Sequence, residues 1–437
     1  MRTDFYRKLG IYVHIPFCLS RCFYCDFNSY SGMEDQIVPY FQVLMRELRI
    51  LDTLGARMSF QSCDTTGFIK KNELMESTPS AREDFCEKTV SDGGGRAVDT
   101  VFFGGGTPSY VESAYIEKIL MKIRSAAVEP DLKRLENADP TKWECTIEAN
   151  PGTVNEAKLK VYKQAGVNRL SFGLQSTHTH HLEMLGRIHR LEEFEKSLAA
   201  ARNCGFENIS ADLIFGFPGQ TIQEWEQTLE YVIKSGVQHL SCYSLSVEEG
   251  TPLYKAIKGG ELAEPDEEID RDMYHFVCNY LGSAGLQQYE ISNFARPGYE
   301  CRHNLKYWTG QEYLGFGAGA HSYFENKRFA NFASILDYCN SIKSLDIHKR
   351  YAQSELIDDD LREKEYIILY LRLTKGIDTA AFEHIFHCNI FSKYVSQLSK
   401  LLNAGLIEVI VPSNKQSKIV LTKKGLDFAN AVFVEFI

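Results

Sequence analysis

The chain has 437 residues, of which 44% are hydrophobic and 24% charged, a balance that buries a large core and excludes an intrinsically disordered chain. A formal net charge of −10 argues against a nucleic-acid surface, which needs clustered positive charge. No apolar run reaches the roughly 18–20 residues of a membrane span, and the opening MRTDFYRKLG lacks the apolar stretch of an export signal. A cytoplasmic protein with at most peripheral membrane association is expected, its twelve cysteines serving as thiols and metal ligands instead of a disulfide scaffold.

In chain order, β-prone runs at 11–17, 100–103, 144–149, 169–174, 209–215 and 239–245 alternate with amphipathic stretches at 35–54, 112–126, 154–165, 191–204 and 221–235. Six such βα units fall short of the eight that close a TIM barrel, so the expected fold class is α/β, a partial (β/α)6 barrel over residues 1–245. Residues 55–98, with Ser77, Thr78, Pro79 and Ser80 in sequence and Gly93, Gly94 and Gly95, read as a surface insertion to which no chemistry is assigned, its Cys63 and Cys86 open equally to an incidental and a functional reading. Residues 246–350, rich in Tyr, Gly and Asn, read as an irregular extension wrapping over the barrel. Helical patterns at 361–373, 379–385 and 394–403, two β-prone pieces at 407–411 and 418–421, and a last helix from Lys423 make 351–437 a mainly helical, winged-helix-like domain. The acidic balance favours packing or lid duty for it over DNA binding.

The sharpest signal is Cys18, Cys22 and Cys25, three cysteines within eight residues directly after the first β-prone run. Closely spaced thiolates hold one metal centre without ordering distant segments, which is why iron–sulfur and zinc sites use such loops. Zinc wants a fourth ligand, and neither His14 nor Asp26 is a convincing one. A cubane with three protein ligands leaves one iron open to chelate the amino and carboxylate groups of S-adenosylmethionine. A redox pair at Cys22 and Cys25 and a zinc loop stay open on spacing alone. Gly104 to Pro108 after the second run, Glu148 ending the third, Gln175 ending the fourth and Asp212 on the fifth are the small or polar positions that cluster with this loop at one face of a parallel barrel.

These residues resemble the radical S-adenosylmethionine superfamily, in the branch of the oxygen-independent coproporphyrinogen III oxidases and the heme chaperones of the HemW type. The cysteines match its CxxxCxxC motif, and Gly104 to Pro108 match its GGGTP motif. The resemblance implies a [4Fe–4S] cluster on Cys18, Cys22 and Cys25. It implies S-adenosylmethionine held by Tyr12, Gly106, Thr107, Glu148, Gln175, Arg187, Asp212, Ser246 and His321, with Tyr24 covering the adenine. No residue is assigned a catalytic role.

Two features separate the chaperones from the oxidases. The oxidases place another cysteine two positions after the third ligand, where this chain has Phe27, and they carry a longer segment ahead of the first strand. Arg302 to Trp308 matches the HNxxYW signature of the chaperones, implying a heme site at His303, Asn304, Tyr307 and Trp308. A neutral imidazole at His303 suits an axial iron ligand, and the two aromatics suit porphyrin faces. The expected function is a chaperone that holds heme and passes it to acceptor hemoproteins such as respiratory proteins, with a homodimer compatible with that role. The alternatives are a coproporphyrinogen III oxidase working by radical oxidative decarboxylation, and a plain iron–sulfur or zinc interaction module.

Overall fold

The computed structural model describes residues 7–52, 96–126, 143–344, 350–411 and 416–437. Six parallel strands form its centre: β1 (Arg7–Ile15), β2 (Arg96–Gly105), β3 (Glu144–Ala149), β4 (Arg169–Gln175), β5 (Asn208–Phe215) and β6 (His239–Ser244). They lie side by side in chain order. Strands buried on both faces lose the polar–apolar alternation of a half-exposed sheet, and β4, RLSFGLQ, is buried along its whole length.

The connecting helices are α1 (Glu34–Glu47), α2 (Ser113–Ala126), α3 (Glu156–Ala165), the short α4 (Thr179–Met184), α5 (Leu191–Asn203) and α6 (Ile222–Lys234). Their starts are written in the sequence. The Asn155 side chain accepts the Lys158 N–H ahead of α3, and Thr221 forms a reciprocal capping box with Glu224 ahead of α6. The inward face of α6 buries Trp225, Thr228, Leu229 and Val232 against the sheet, the i, i+3, i+4, i+7 spacing of one helix stripe.

Beyond β6 the chain does not wrap irregularly, and the expectation for 246–350 is corrected here. After α7 (Pro252–Lys258) and α8 (Glu267–Ser283), strands β7 (Gln287–Glu290) and β8 (Asn293–Ala295) add antiparallel to the β6 edge. After α9 (Arg302–Trp308), strand β9 (Tyr313–Phe316) pairs parallel with β1, and β10 (His321–Phe324) and β11 (Lys327–Ala330) continue antiparallel beyond it. Helix α10 (Ile335–Lys343) packs on α1, and β12 (Gln353–Leu356) pairs with β11. The result is one twelve-stranded open sheet. The second strand starts at Arg96, so the segment read as an insertion ends before it; Cys63, Cys86, Ser77 to Ser80 and Gly93 to Gly95 lie outside the described residues.

The last part has its own core, with Ile367, Leu371, Phe382, Leu398, Ile419 and Val432 among its buried residues. It comprises α11 (Asp359–Arg372), β13 (Ile377–Asp378), α12 (Thr379–Phe386), α13 (Ile390–Lys393), α14 (Val395–Asn403), β14 (Ile407–Ile410), β15 (Lys418–Leu421), α15 (Lys423–Asp427) and α16 (Ala429–Val434). Its three strands form a separate antiparallel sheet. Specific contacts dock it on the barrel: Arg372 Nε donates to Glu290 Oε2 at 2.8 Å, Arg328 pairs with Glu365 at 2.6 Å, and His275 meets Asp427 at 2.9 Å. Among the described residues no helix is long and apolar enough to cross a membrane.

Candidate cofactor site

The loop after β1 turns over the C-terminal ends of the parallel strands. The Cys18 N–H donates to the Tyr30 carbonyl at 2.8 Å, which closes the loop on itself, and the Phe23 N–H donates to that of Leu185 at 2.8 Å, which ties its middle to the segment after β4. Cys18, Cys22 and Cys25 line one cavity of about 600 Å³, within the size range of small-molecule sites, roughly 300–1,000 Å³. Tyr12, Tyr24, Gly106, Thr107, Glu148, Gln175, Arg187, Asp212 and Ser246 line the same cavity, as do His303, Asn304 and Tyr307.

His321 is not among them. It is exposed at the start of β10 and lines a second, adjoining cavity of about 1130 Å³, together with Trp308. Tyr12, Phe27, Gly105, Glu148 and Tyr307 line both cavities and so form their shared wall. The far side of the larger cavity is closed by Arg362, Glu365, Tyr366, Tyr370 and Phe386 of the C-terminal domain.

Close approach explains the glycines. A Cβ on Gly106 would meet the Phe17 carbonyl oxygen at 2.9 Å and Cys18 Sγ at 3.0 Å, and Gly105 has a φ of 114° with the His14 ring 2.5 Å from where a Cβ would stand. His14 itself is buried, with Nε2 donating to the Asn28 carbonyl at 2.8 Å and Nδ1 accepting from the Tyr12 hydroxyl at 3.0 Å. Those bonds occupy both ring nitrogens. Gln175 sits at a β-bulge with a φ of 67°, a conformation that costs a non-glycine residue energy and is kept where it aims a side chain.

The electrostatics are mixed in sign. Burial pushes the Glu148 carboxyl up to about 8, reinforced by Asp212 and opposed by the Gly105 N–H it accepts at 3.2 Å. Burial also raises Asp212, which accepts from the Ser171 hydroxyl at 3.2 Å. Opposite them stand the guanidiniums of Arg187 and Arg169, both lining the cavity and each with its Nε buried and without a partner among the described residues. Two carboxyl groups and two under-satisfied guanidiniums in one pocket complement a zwitterion. Burial raises the Cys18 and Cys22 thiols, so a metal centre is what would favour their thiolate forms.

Sequence reasoning missed Asn150 and Arg169. Asn150 Nδ2 donates to Thr107 Oγ1 at 3.0 Å while its Oδ1 accepts from Arg187 Nη1 at 3.0 Å, linking the glycine-rich turn to the guanidinium. Its only signal was a polar residue between a strand end and Pro151. Arg169 is 2% exposed, a charge at the head of a strand buried along its whole length, and that incongruity was legible.

His303 is fully buried, with Nδ1 2.9 Å from Thr100 Oγ1 and Nε2 2.9 Å from the Tyr307 hydroxyl. Burial, with Lys306 nearby, lowers it to about 3, so the imidazole is neutral. Trp308 lies under the Arg372 guanidinium, 4.2 Å from its carbon to the ring centroid.

A parallel barrel with three cysteines on its first loop and this pocket at its strand ends is the architecture of a radical S-adenosylmethionine protein, and the model of the Radical SAM superfamily matches residues 12–232. The chain is 33% identical over 426 residues to the heme chaperone HemW of Bacillus subtilis, covering 98% of both chains. It is 31% identical to that of Lactococcus lactis, over 98% of this chain and 96% of the other. The chain therefore belongs to the radical S-adenosylmethionine superfamily and, within it, to the family of the heme chaperones HemW. Its fold superposes on coproporphyrinogen III oxidase from Escherichia coli with a TM-score of 0.75 and 20% identity, covering 99% of this chain and 91% of that one.

The superfamily implies a [4Fe–4S] cluster and S-adenosylmethionine, and the residues present fit both: three thiols in one pocket, glycines that leave no room for a Cβ, and two guanidiniums, each with its Nε buried and unpartnered among the described residues, in the same pocket as carboxyl groups.

Proposed function

We propose that this protein is a heme chaperone that binds a [4Fe–4S] cluster and S-adenosylmethionine, holds heme, and passes it to acceptor hemoproteins. In this reading Cys18, Cys22 and Cys25 hold the cluster, which supplies the open iron and one-electron chemistry when bound. Glu148 and Asp212 face the cationic end of the cofactor, Arg187 and Arg169 the carboxylate, and Tyr24 the adenine. Thr107, Gly106, Gln175 and Ser246 complete that pocket, while His321 belongs to the heme side of the wall instead.

The observation that carries the reading is the pair of adjoining cavities. The larger has a wall of Tyr307, Trp308, Tyr313, Tyr323, Tyr366 and Tyr370, with Arg328 and Arg362 at the same wall. Flat aromatic surface with cationic anchors suits a tetrapyrrole carrying propionates. His303 as axial ligand requires the Tyr307 bond to open and α9 to shift, whereas His321 already faces that cavity. Asn304 lies on the cluster side. The curated relatives' name points the same way, and the position two after Cys25 is the exposed Phe27, not a fourth cysteine. The ten cysteines among the described residues are unpaired, which supports a cytoplasmic setting.

The test is turnover against binding. Cluster-loaded protein given reductant, S-adenosylmethionine and coproporphyrinogen should release no carbon dioxide from the porphyrinogen while it binds heme stoichiometrically. Decarboxylation at enzymatic rates would replace this reading with the oxidase.

A further inference from the structure

The segment 176–190 leaves the end of β4 and delivers Arg187 into the cofactor cavity, and on its outer side it carries histidines at 178, 180 and 181. None of them lines either cavity. His181 is spoken for: it is buried, its Nδ1 lies 3.0 Å from the Ser176 hydroxyl, and its ring stacks on Phe217 at 4.5 Å. His178 and His180 face Glu224 in the first turn of α6, and one ligand atom from each of the three residues lies within 4.8 Å of the others.

One carboxylate oxygen and one imidazole nitrogen of this cluster are already held by hydrogen bonds. Glu224 Oε2 is occupied, accepting the Thr221 N–H at 2.8 Å and its hydroxyl at 2.9 Å, so the carboxylate is fixed and Oε1 is turned towards His180 Nε2, 3.2 Å away. His178 Nε2 lies 3.0 Å from the Glu224 carbonyl oxygen, which can only accept; Nε2 therefore carries the proton and Nδ1 presents a lone pair. An imidazole whose second nitrogen donates to a carbonyl is the usual outer arrangement of a metal-bound histidine. Bonds of about 2.1 Å space the ligands of one ion about 3–3.4 Å apart. The His180–Glu224 pair already has that spacing. The remaining closure falls on exposed or half-buried side chains, His180 being 58% and Glu224 25% exposed.

We propose that His178, His180 and Glu224 bind one divalent transition-metal ion of the zinc class, separate from the three-cysteine centre. Two imidazoles and a carboxylate suit zinc and leave coordination positions for water. The ion fastens the segment that carries Arg187 to the start of α6.

The test uses cluster-loaded protein, in which the three cysteines are occupied, equilibrated anaerobically with low-micromolar zinc. Native protein should retain one zinc per chain more than His180→Ala and His178→Ala, whose affinity falls at least about tenfold, the loss that even outer-shell changes cause. Zinc should raise the melting temperature of native protein and not of His180→Ala, while iron content and the zinc-free melting temperature stay equal because His180 is on the surface. Zinc X-ray absorption should show nitrogen and oxygen neighbours. Equal zinc retention in all three proteins, or a sulfur-dominated shell, would overturn the assignment.

Discussion

Thr107 Oγ1 donates to Cys18 Sγ across 3.4 Å, from a threonine that in turn accepts the Asn150 amide at 3.0 Å. The first cysteine is thus tied to the glycine-rich turn before any cluster is considered. A hydrogen bond to a cluster sulfur stabilises the more negative, reduced state. Thr107→Val should keep its iron and lower the cluster's reduction potential, read by anaerobic redox titration. Cys18→Ala, Cys22→Ala and Cys25→Ala should each lose the cluster, read as iron and sulfide per chain.

Glu148 makes the cofactor-free protein pH-sensitive. Its folded value, about 8, lies above the ordinary 4.5, so between these limits the folded state keeps a proton that the unfolded chain has released. Its stabilising contribution is complete below the lower limit and is lost as pH rises through the upper one. Urea midpoints of cluster-free protein should therefore fall across that window, and Glu148→Gln should flatten the fall.

Arg372 joins the C-terminal domain to the barrel twice over, by its bond to Glu290 and its stacking on Trp308. Glu290 is fully buried and Arg372 is 26% exposed, so Arg372→Ala leaves Glu290 Oε2 without its cation while Oε1 keeps the Ser292 N–H and the Asn293 amide, and should cost roughly 2–3 kcal/mol in chemical denaturation. Arg372→Lys keeps the charge but not the planar stack and should recover part of the loss. The alanine variant should also admit protease first near residues 372–376, since Thr374 hydrogen-bonds to Gln288 and Tyr289 at the same seam.

Much of the barrel was legible because parallel strands buried on both faces read as unbroken apolar runs. The expected strands at 144–149, 169–174 and 209–215 fall within a residue of β3, β4 and β5. β2 was read too short because its first residues, Arg96 to Asp99, include two charges. β7 to β13 were missed altogether: segments such as QQYE, NFA and KRFA are too short to show a period, and distant partners define them as strands. The same limit governs the site. Cys18, Cys22, Cys25 and the glycine turn are local patterns, whereas the separation of His321 from the cysteine cavity depends on how β10 joins the far edge of the sheet. Asn150 acquires its role only when Thr107 and Arg187 arrive from two other strands' ends.

Heme retention through the HNxxYW helix is the central claim, and an anaerobic heme titration followed at the Soret band tests it most directly, on cluster-loaded native protein, His303→Ala and His321→Ala in parallel. The account predicts one heme per chain in native protein, loss of that binding in His303→Ala, and retention of cluster absorbance in all three. Binding lost in His321→Ala alone would move the axial ligand to the wall of the larger cavity. Absence of heme binding by native protein would contradict the chaperone reading itself.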